Sequence, residues 1–252
     1  MDSEINRLVD KVYVLTIARN ADRHPNVQSI LKNIPFEFWI GFDAKVNFPK
    51  QKYVCDIQEE FFLSNDVDRK FAEGSTIGQF GAYLSIKKMI DHVARSGYNR
   101  VLIFEDDMLP LKSNWESILQ KALEELPADW DILLAGYLYD GTLYKYSYIR
   151  SLRIIVKTYN GLKSFFKKGK IIKRLPAKFT KHLDVSGYST GGHAFCLSRK
   201  GATILSSYLT PMRDSGDLLI SRLIVEEKIQ AFSVYPCLFI QDNRFASKTK
   251  SV

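Results

Sequence analysis

The run Arg100-Val101-Leu102-Ile103-Phe104-Glu105-Asp106-Asp107 constrains this chain more than any other. Four apolar, strand-forming residues in succession read as a strand buried on both faces, and such strands belong to α/β sheets covered by helices on either side. The run ends in three adjacent carboxylates, which repel one another and invite a cation. Open α/β sheets gather their ligands at the carboxyl ends of the strands, so this acidic end is the first place to look for chemistry. Alternation along a strand sends Glu105 and Asp107 to one side and Asp106 to the other.

The rest of the chain reads as a sheet built around that strand. Lys11 to Ile17 is a continuous β-prone run, followed by the polar turn Ala18 to Arg23 and a helix through Ile30 and Leu31. Two arginines in that turn, Arg19 and Arg23, fit an anion site or an ordinary solvated loop. Phe36 to Ile40 predicts a second strand, with Asp43 just past its end. Residues 47–73 show no period, and one short helix is expected near Ile57 to Leu63. Thr76-Ile77-Gly78-Gln79 has the spacing of a capping box for a helix that Gly97 closes. Ser113-Asn114-Trp115-Glu116 repeats that spacing before a helix ended by Pro127, and Trp130 to Gly136 predicts the next strand. Strand and helix alternate, so the fold class is α/β, a single domain on a largely parallel sheet.

The later part supplies a strand from Gly192 to Ser198 carrying His193, and a helix from Arg199 to Tyr208. Asp214 and Asp217 stand before a further helix, where the helix dipole alone accounts for acidic residues. His193 reads either as a group orienting a ligand or as a hydrogen-bonded core histidine. Phe232 to Pro236 predicts a short strand, and 243–252 a mobile basic tail. Cys55, Cys196 and Cys237 are widely spaced with no second metal-type ligand beside them, and free core thiols are expected.

Charge is unevenly placed. Residues 141–183 hold twelve of the 36 Lys and Arg and none of the 28 Asp and Glu, so one basic, aromatic insertion makes the whole chain net +8. Such a block suits an anionic contact, and its interleaved Leu162, Phe165, Phe166, Ile171 and Ile172 fit a bilayer surface. A loop ordering over substrate and a merely solvated insertion are the other readings. A non-enzymatic protein binding nucleic acid or membrane through 141–183 is the rival function. It lacks a recognisable nucleic-acid module, and the acidic remainder would repel phosphate, so no nucleic-acid partner is expected. No apolar run approaches the roughly 20 residues of a spanning helix, and Met1-Asp2-Ser3-Glu4 has no signal-peptide character. The expected location is cytoplasmic, peripheral on the inner membrane face.

Two hard carboxylates on one side of a strand end suit Mg²⁺ or Mn²⁺, ions that complete their shell with water and substrate phosphates. A nucleotide-diphosphate substrate follows naturally. The competing structural reading, a cap for the helix near Ser113, leaves more carboxylates than one helix needs.

Five segments then resemble glycosyltransferase family 25, which includes bacterial lipooligosaccharide galactosyltransferases and collagen-modifying relatives. They are Val12-Tyr13-Val14-Leu15 with Asp22-Arg23 downstream, Gly81-Ala82-Tyr83-Leu84-Ser85, Val101 to Asp107, Trp130 to Leu134, and Gly192 to Ala202. The resemblance implies a GT-A type fold in which Glu105 and Asp107 hold Mn²⁺ (or Mg²⁺) and the donor diphosphate. It places Asp106 near the donor ribose and Thr16, Arg19 and Asp43 along the nucleotide pocket; His193 joins the expected donor-binding residues from its place on a strand near the sheet's reactive edge. It implies a hexose, galactose or glucose, moved with inversion from a UDP-sugar to a glycan or glycolipid acceptor. Inversion needs a carboxylate base, for which Asp217 comes first and Asp214 second. The chain departs from the family pattern at Thr16, often Asn, at Ala18, often acidic, and at Ile86, where His is usual. Those departures leave room for altered donor preference or for a catalytically silent scaffold.

Overall fold

The computed structural model of the protein describes residues 3–57, 67–139 and 176–245. In chain order the elements are β1 (Lys11–Thr16), α1 (His24–Ile30), β2 (Glu37–Ile40), α2 (Ala44–Asn47), α3 (Arg69–Gly74), α4 (Ile77–Arg95), β3 (Arg100–Glu105), β4 (Met108–Pro110) and α5 (Trp115–Glu124). They continue with β5 (Ile132–Tyr139), β6 (Ala177–Lys178), β7 (Leu183–Val185), β8 (Ser189–Ser198), α6 (Arg199–Tyr208), α7 (Gly216–Val225), β9 (Ala231–Val234) and β10 (Phe239–Gln241). Residues 58–63 of the helix expected near Ile57 to Leu63 and residues 141–175 of the basic insertion lie outside the described residues, as do 246–252.

One mixed sheet runs β2-β1-β3-β8-β5-β9-β7-β6, with β10 joining β4 and β5. β1 is parallel to both β2 and β3, as the alternating pattern predicts. The largely parallel expectation fails at the centre: β8 lies antiparallel between β3 and β5, and β7 is antiparallel to β9. An antiparallel strand reads the same as a parallel one in an apolar run, so the alternating pattern does not reveal the direction of β8.

Both faces of the sheet are buried, which is why β3 can be apolar without alternation. Val101 and Ile103 pack with Ile77, Phe80 and Met89 of α4, Leu205 of α6 and Leu223 of α7. Leu102 and Phe104 point the other way, to Val27 of α1 and Trp115 and Leu119 of α5. α4 starts at the capping box read from the sequence: Thr76 accepts from the Gln79 amide, and Gln79 returns a bond to the Thr76 amide at 2.8 Å. Gly97 follows in the left-handed region at φ +84°, where a glycine ends a helix without strain. The second expected box does not form. α5 has Asn114 at its N-cap with no side-chain bond, so Ser113 caps nothing there.

The chain does not stop at β9. β10 pairs antiparallel with β4, which brings Gln241 opposite Met108 and lays the following residues over the acidic strand end.

Candidate active site

The acidic run leaves the sheet where β1, β3 and β8 end side by side. Phe104 of β3 pairs with Ala194 of β8, so one step further along Glu105 stands beside His193. Its carboxylate lies 2.9 Å from His193 Nδ1. Asp106 turns inward, and its amide bonds the Leu15 carbonyl of β1 at 3.1 Å.

Asp106 is the best-satisfied of the three acids. Its Oδ2 accepts from Thr16 Oγ1 at 2.6 Å and Asn20 Nδ2 at 2.8 Å, and its Oδ1 from Arg23 Nη1 at 2.6 Å. Arg23 is itself buried, as are Thr16 and Asn20. The segment Ala18–Arg23 that supplies two of these donors is 3₁₀-helical with a kink at Asn20 (φ −98°, ψ 19°), and both Asn20 and Arg23 turn to Asp106. Neither the solvated loop nor the open anion site expected there describes Arg23. Thr16 and Asp106, both expected against the donor, spend their polar atoms on each other beneath the surface.

Asp107 is poorer in partners. Oδ2 accepts from Gln241 Nε2 at 3.1 Å and Arg23 Nη1 at 3.3 Å, while Oδ1 is buried with no partner among the described residues. Burial, and then the charges of Glu105 and Asp106, push its carboxyl up to about 6 against the opposing pull of Gln241 and Arg23. The Asp242 amide holds the Asp107 carbonyl at 2.6 Å, so residues 241 and 242 strap this acid from above.

His193 is buried, and its Nε2 likewise has no partner among the described residues. Burial alone would lower its pKa, but the hydrogen bond and charge of Glu105, with Asp107 and Asp217 behind, raise it above the ordinary value. The strand is shaped to seat this ring. β5 and β8 shift register on both sides of Gly136, and a Cβ at Gly136 would stand 3.0 Å from His193 Cβ and 2.9 Å from the Ala194 amide. Gly191 has φ +77°, and a Cβ there would lie 2.9 Å from His193 Nε2.

Glu105, Asp107 and His193 each offer one ligand atom, all within 4.8 Å of one another. Two carboxylates and an imidazole, with buried lone pairs unclaimed among the described residues, fit a divalent cation such as Mn²⁺. An ion there would satisfy Asp107 Oδ1, which otherwise pays for burial without compensation.

The other expected residues fall on the rim or further off. Arg19 Nε pairs with Asp43 Oδ2 at 2.7 Å, and Asp43 also caps α2 through the Lys45 amide. Asp217, in the first turn of α7, bonds the Gly191 amide through Oδ2 at 3.1 Å, and so stands next to the His193 turn. Asp214 is instead tied to Arg222 at 2.5 Å. Ile86 of α4 lies against the start of α7, where a Cβ at Gly216 would meet its Cδ1 at 3.2 Å. Sequence reading missed Asn20 and the inward role of Arg23; their spacing of three within a polar turn was the available signal.

No curated protein matches the sequence. Among solved structures, the crystal structure of A197 from STIV is similar at 11% identity, covering 88% of this chain and 80% of that one with a TM-score of 0.35. The family model described as glycosyltransferase family 25 (LPS biosynthesis protein) matches residues 9–220, from before β1 into α7. That span includes Thr16, Asp43, the whole acidic run, His193 and Asp217, and on it the chain belongs to glycosyltransferase family 25.

Proposed function

We propose that the protein is a metal-dependent, inverting hexosyltransferase that moves galactose or glucose from a UDP-sugar to a surface-glycan or glycolipid acceptor. The observation that carries this reading is the convergence of Glu105, Asp107 and His193 within 4.8 Å, with buried, unclaimed atoms on two of them. When bound, Mn²⁺ or Mg²⁺ supplies electrostatic stabilisation of the negative charge that grows on the departing diphosphate.

The protein's own residues do the rest. Arg19 and Asp43 flank the nucleotide side, and Asp106, locked to Thr16, Asn20 and Arg23, fixes the strand end on which Glu105 and Asp107 ride. Asp217 acts as base: the acceptor hydroxyl oxygen bonds to the anomeric carbon, the bond from that carbon to the diphosphate oxygen breaks, and the hydroxyl proton passes to the carboxylate. Asp214, neutralised by Arg222, is the weaker candidate. The family's description as an LPS biosynthesis protein supports a glycan acceptor at a membrane surface. The basic block 141–183 would hold the enzyme there, and Lys178, Phe179 and Lys181, its described root, are exposed. Among the described residues no helix is long and apolar enough to cross a membrane.

UDP-sugar turnover with Mn²⁺ tests the reading directly. Turnover is expected to fall at least about a hundredfold in Asp107→Ala and on chelation. Activity that survives both would remove the metal centre from the mechanism.

A further inference from the structure

The Asp217 carboxylate reaches out of its own helix. Oδ1 is occupied locally, accepting from Ser215 Oγ at 2.6 Å and the Leu218 amide at 2.9 Å. Oδ2 instead crosses to β8 and accepts from the Gly191 amide at 3.1 Å. Gly191, between Thr190 and Gly192, is left-handed at φ +77°, and a Cβ added there would stand 2.9 Å from His193 Nε2. The Gly191 turn therefore backs the ring and Gly136 on β5 crowds its Cβ, while Nδ1 is aimed at Glu105, 2.9 Å away.

We propose that Asp217 is a positioning residue for the cation centre, holding the Gly191 turn so that His193 stays seated beside Glu105 and Asp107. This rests on the metal reading above and adds to it a mechanical tie between α7 and the ion. The base work assigned to Asp217 needs an ionisable group facing the acceptor; the tie needs only an oxygen that accepts from Gly191. Partners of ligands in a metal centre commonly govern affinity by orienting those ligands, at about ten- to a hundredfold. Without the tie, the Gly191 amide loses its acceptor and the turn is free to relax, carrying the imidazole off its aim.

The test is Mn²⁺ affinity, read from the electron paramagnetic resonance signal of the free ion, on the full chain and on Asp217→Ala, His193→Ala and the double variant. Asp217→Ala is expected to weaken binding about tenfold in the unaltered background. With His193 already gone it should add less than about twofold, because the two act in series. Equal losses in both backgrounds would mean that Asp217 acts through its charge on the ion, and undiminished affinity that it does not act; either overturns the proposal. Ser215→Ala, which loosens the carboxylate while leaving it in place, should give a smaller loss and covers the case in which Asp217→Ala does not fold. If the unaltered chain binds no Mn²⁺, the metal reading fails by itself. The imidazole ¹⁵N shifts of His193 then decide the tie: Asp217→Ala must move them, and shifts that stay in place overturn it.

Discussion

Asp106 and Asp107 are neighbours with opposite circumstances. Asp106 has three donors on its two oxygens, whereas Asp107 keeps a buried oxygen with none among the described residues. Asp106→Ala would strip the buried Arg23 of its shortest ion pair, and breaking such a pair costs about 3–5 kcal/mol. Urea unfolding should show that loss, with a smaller one for Asp106→Asn, which keeps an acceptor. Asp107 should behave differently with pH. Its carboxyl is pushed from 3.8 up to about 6, chiefly by burial, so the fold favours the neutral form. That contribution to stability is complete below about pH 4 and is lost as the pH rises through about 6. In metal-free protein the melting temperature, relative to that of Asp107→Asn, should therefore fall across this window, and added Mn²⁺ should oppose the fall. Strand alternation separates Asp106 from Glu105 and Asp107 in the sequence, and they are separate in the structure, although β3 ends at Glu105 and the two aspartates lie in the turn to β4. The partnership of Glu105 with His193 was not legible in the sequence, since it depends on which distant strand lies against β3.

At the scale of elements, one of two local capping signals held, and the sheet is parallel at β2-β1-β3 but not at β8. The Thr76 box at the start of α4 is written within four residues and forms as read, with the Gln79 amide 3.3 Å from Thr76 Oγ1. Thr76→Ala should cost about 1 kcal/mol in equilibrium unfolding, and Thr76→Ser close to nothing. The same spacing at Ser113 failed because the chain there is leaving β4, and the N-cap falls one residue later, on Asn114. The antiparallel insertion of β8 was illegible for another reason: its residues read as a buried strand in either direction. β10 is three residues long, too short to show a period, although it delivers Gln241 to Asp107.

Across the whole molecule, two of the three thiols are where a core was expected and one is not. Cys196 is buried and its thiol pushed up to about 12, and Cys237 is held at about 11, both by burial. Cys55 is exposed, in the middle of the 3₁₀ turn Val54–Asp56 rather than inside the core. Alkylation of the native protein at neutral pH should label Cys55 rapidly and the other two only on unfolding, as intact mass will show. Rapid labelling of Cys196 would mean that the central sheet opens at β8.

The strap over Asp107 has a consequence for synthesis. Its acceptors and donors come from residues 15–23, 105–107 and 241–242, so the first strand and the last meet at one point. A ribosome that has made β1, β3 and even β8 has not yet made the lid of this centre. The acidic strand end therefore waits, incompletely partnered, until Gln241 has cleared the exit tunnel, and Asp107 gains its strap only once β10 has been made.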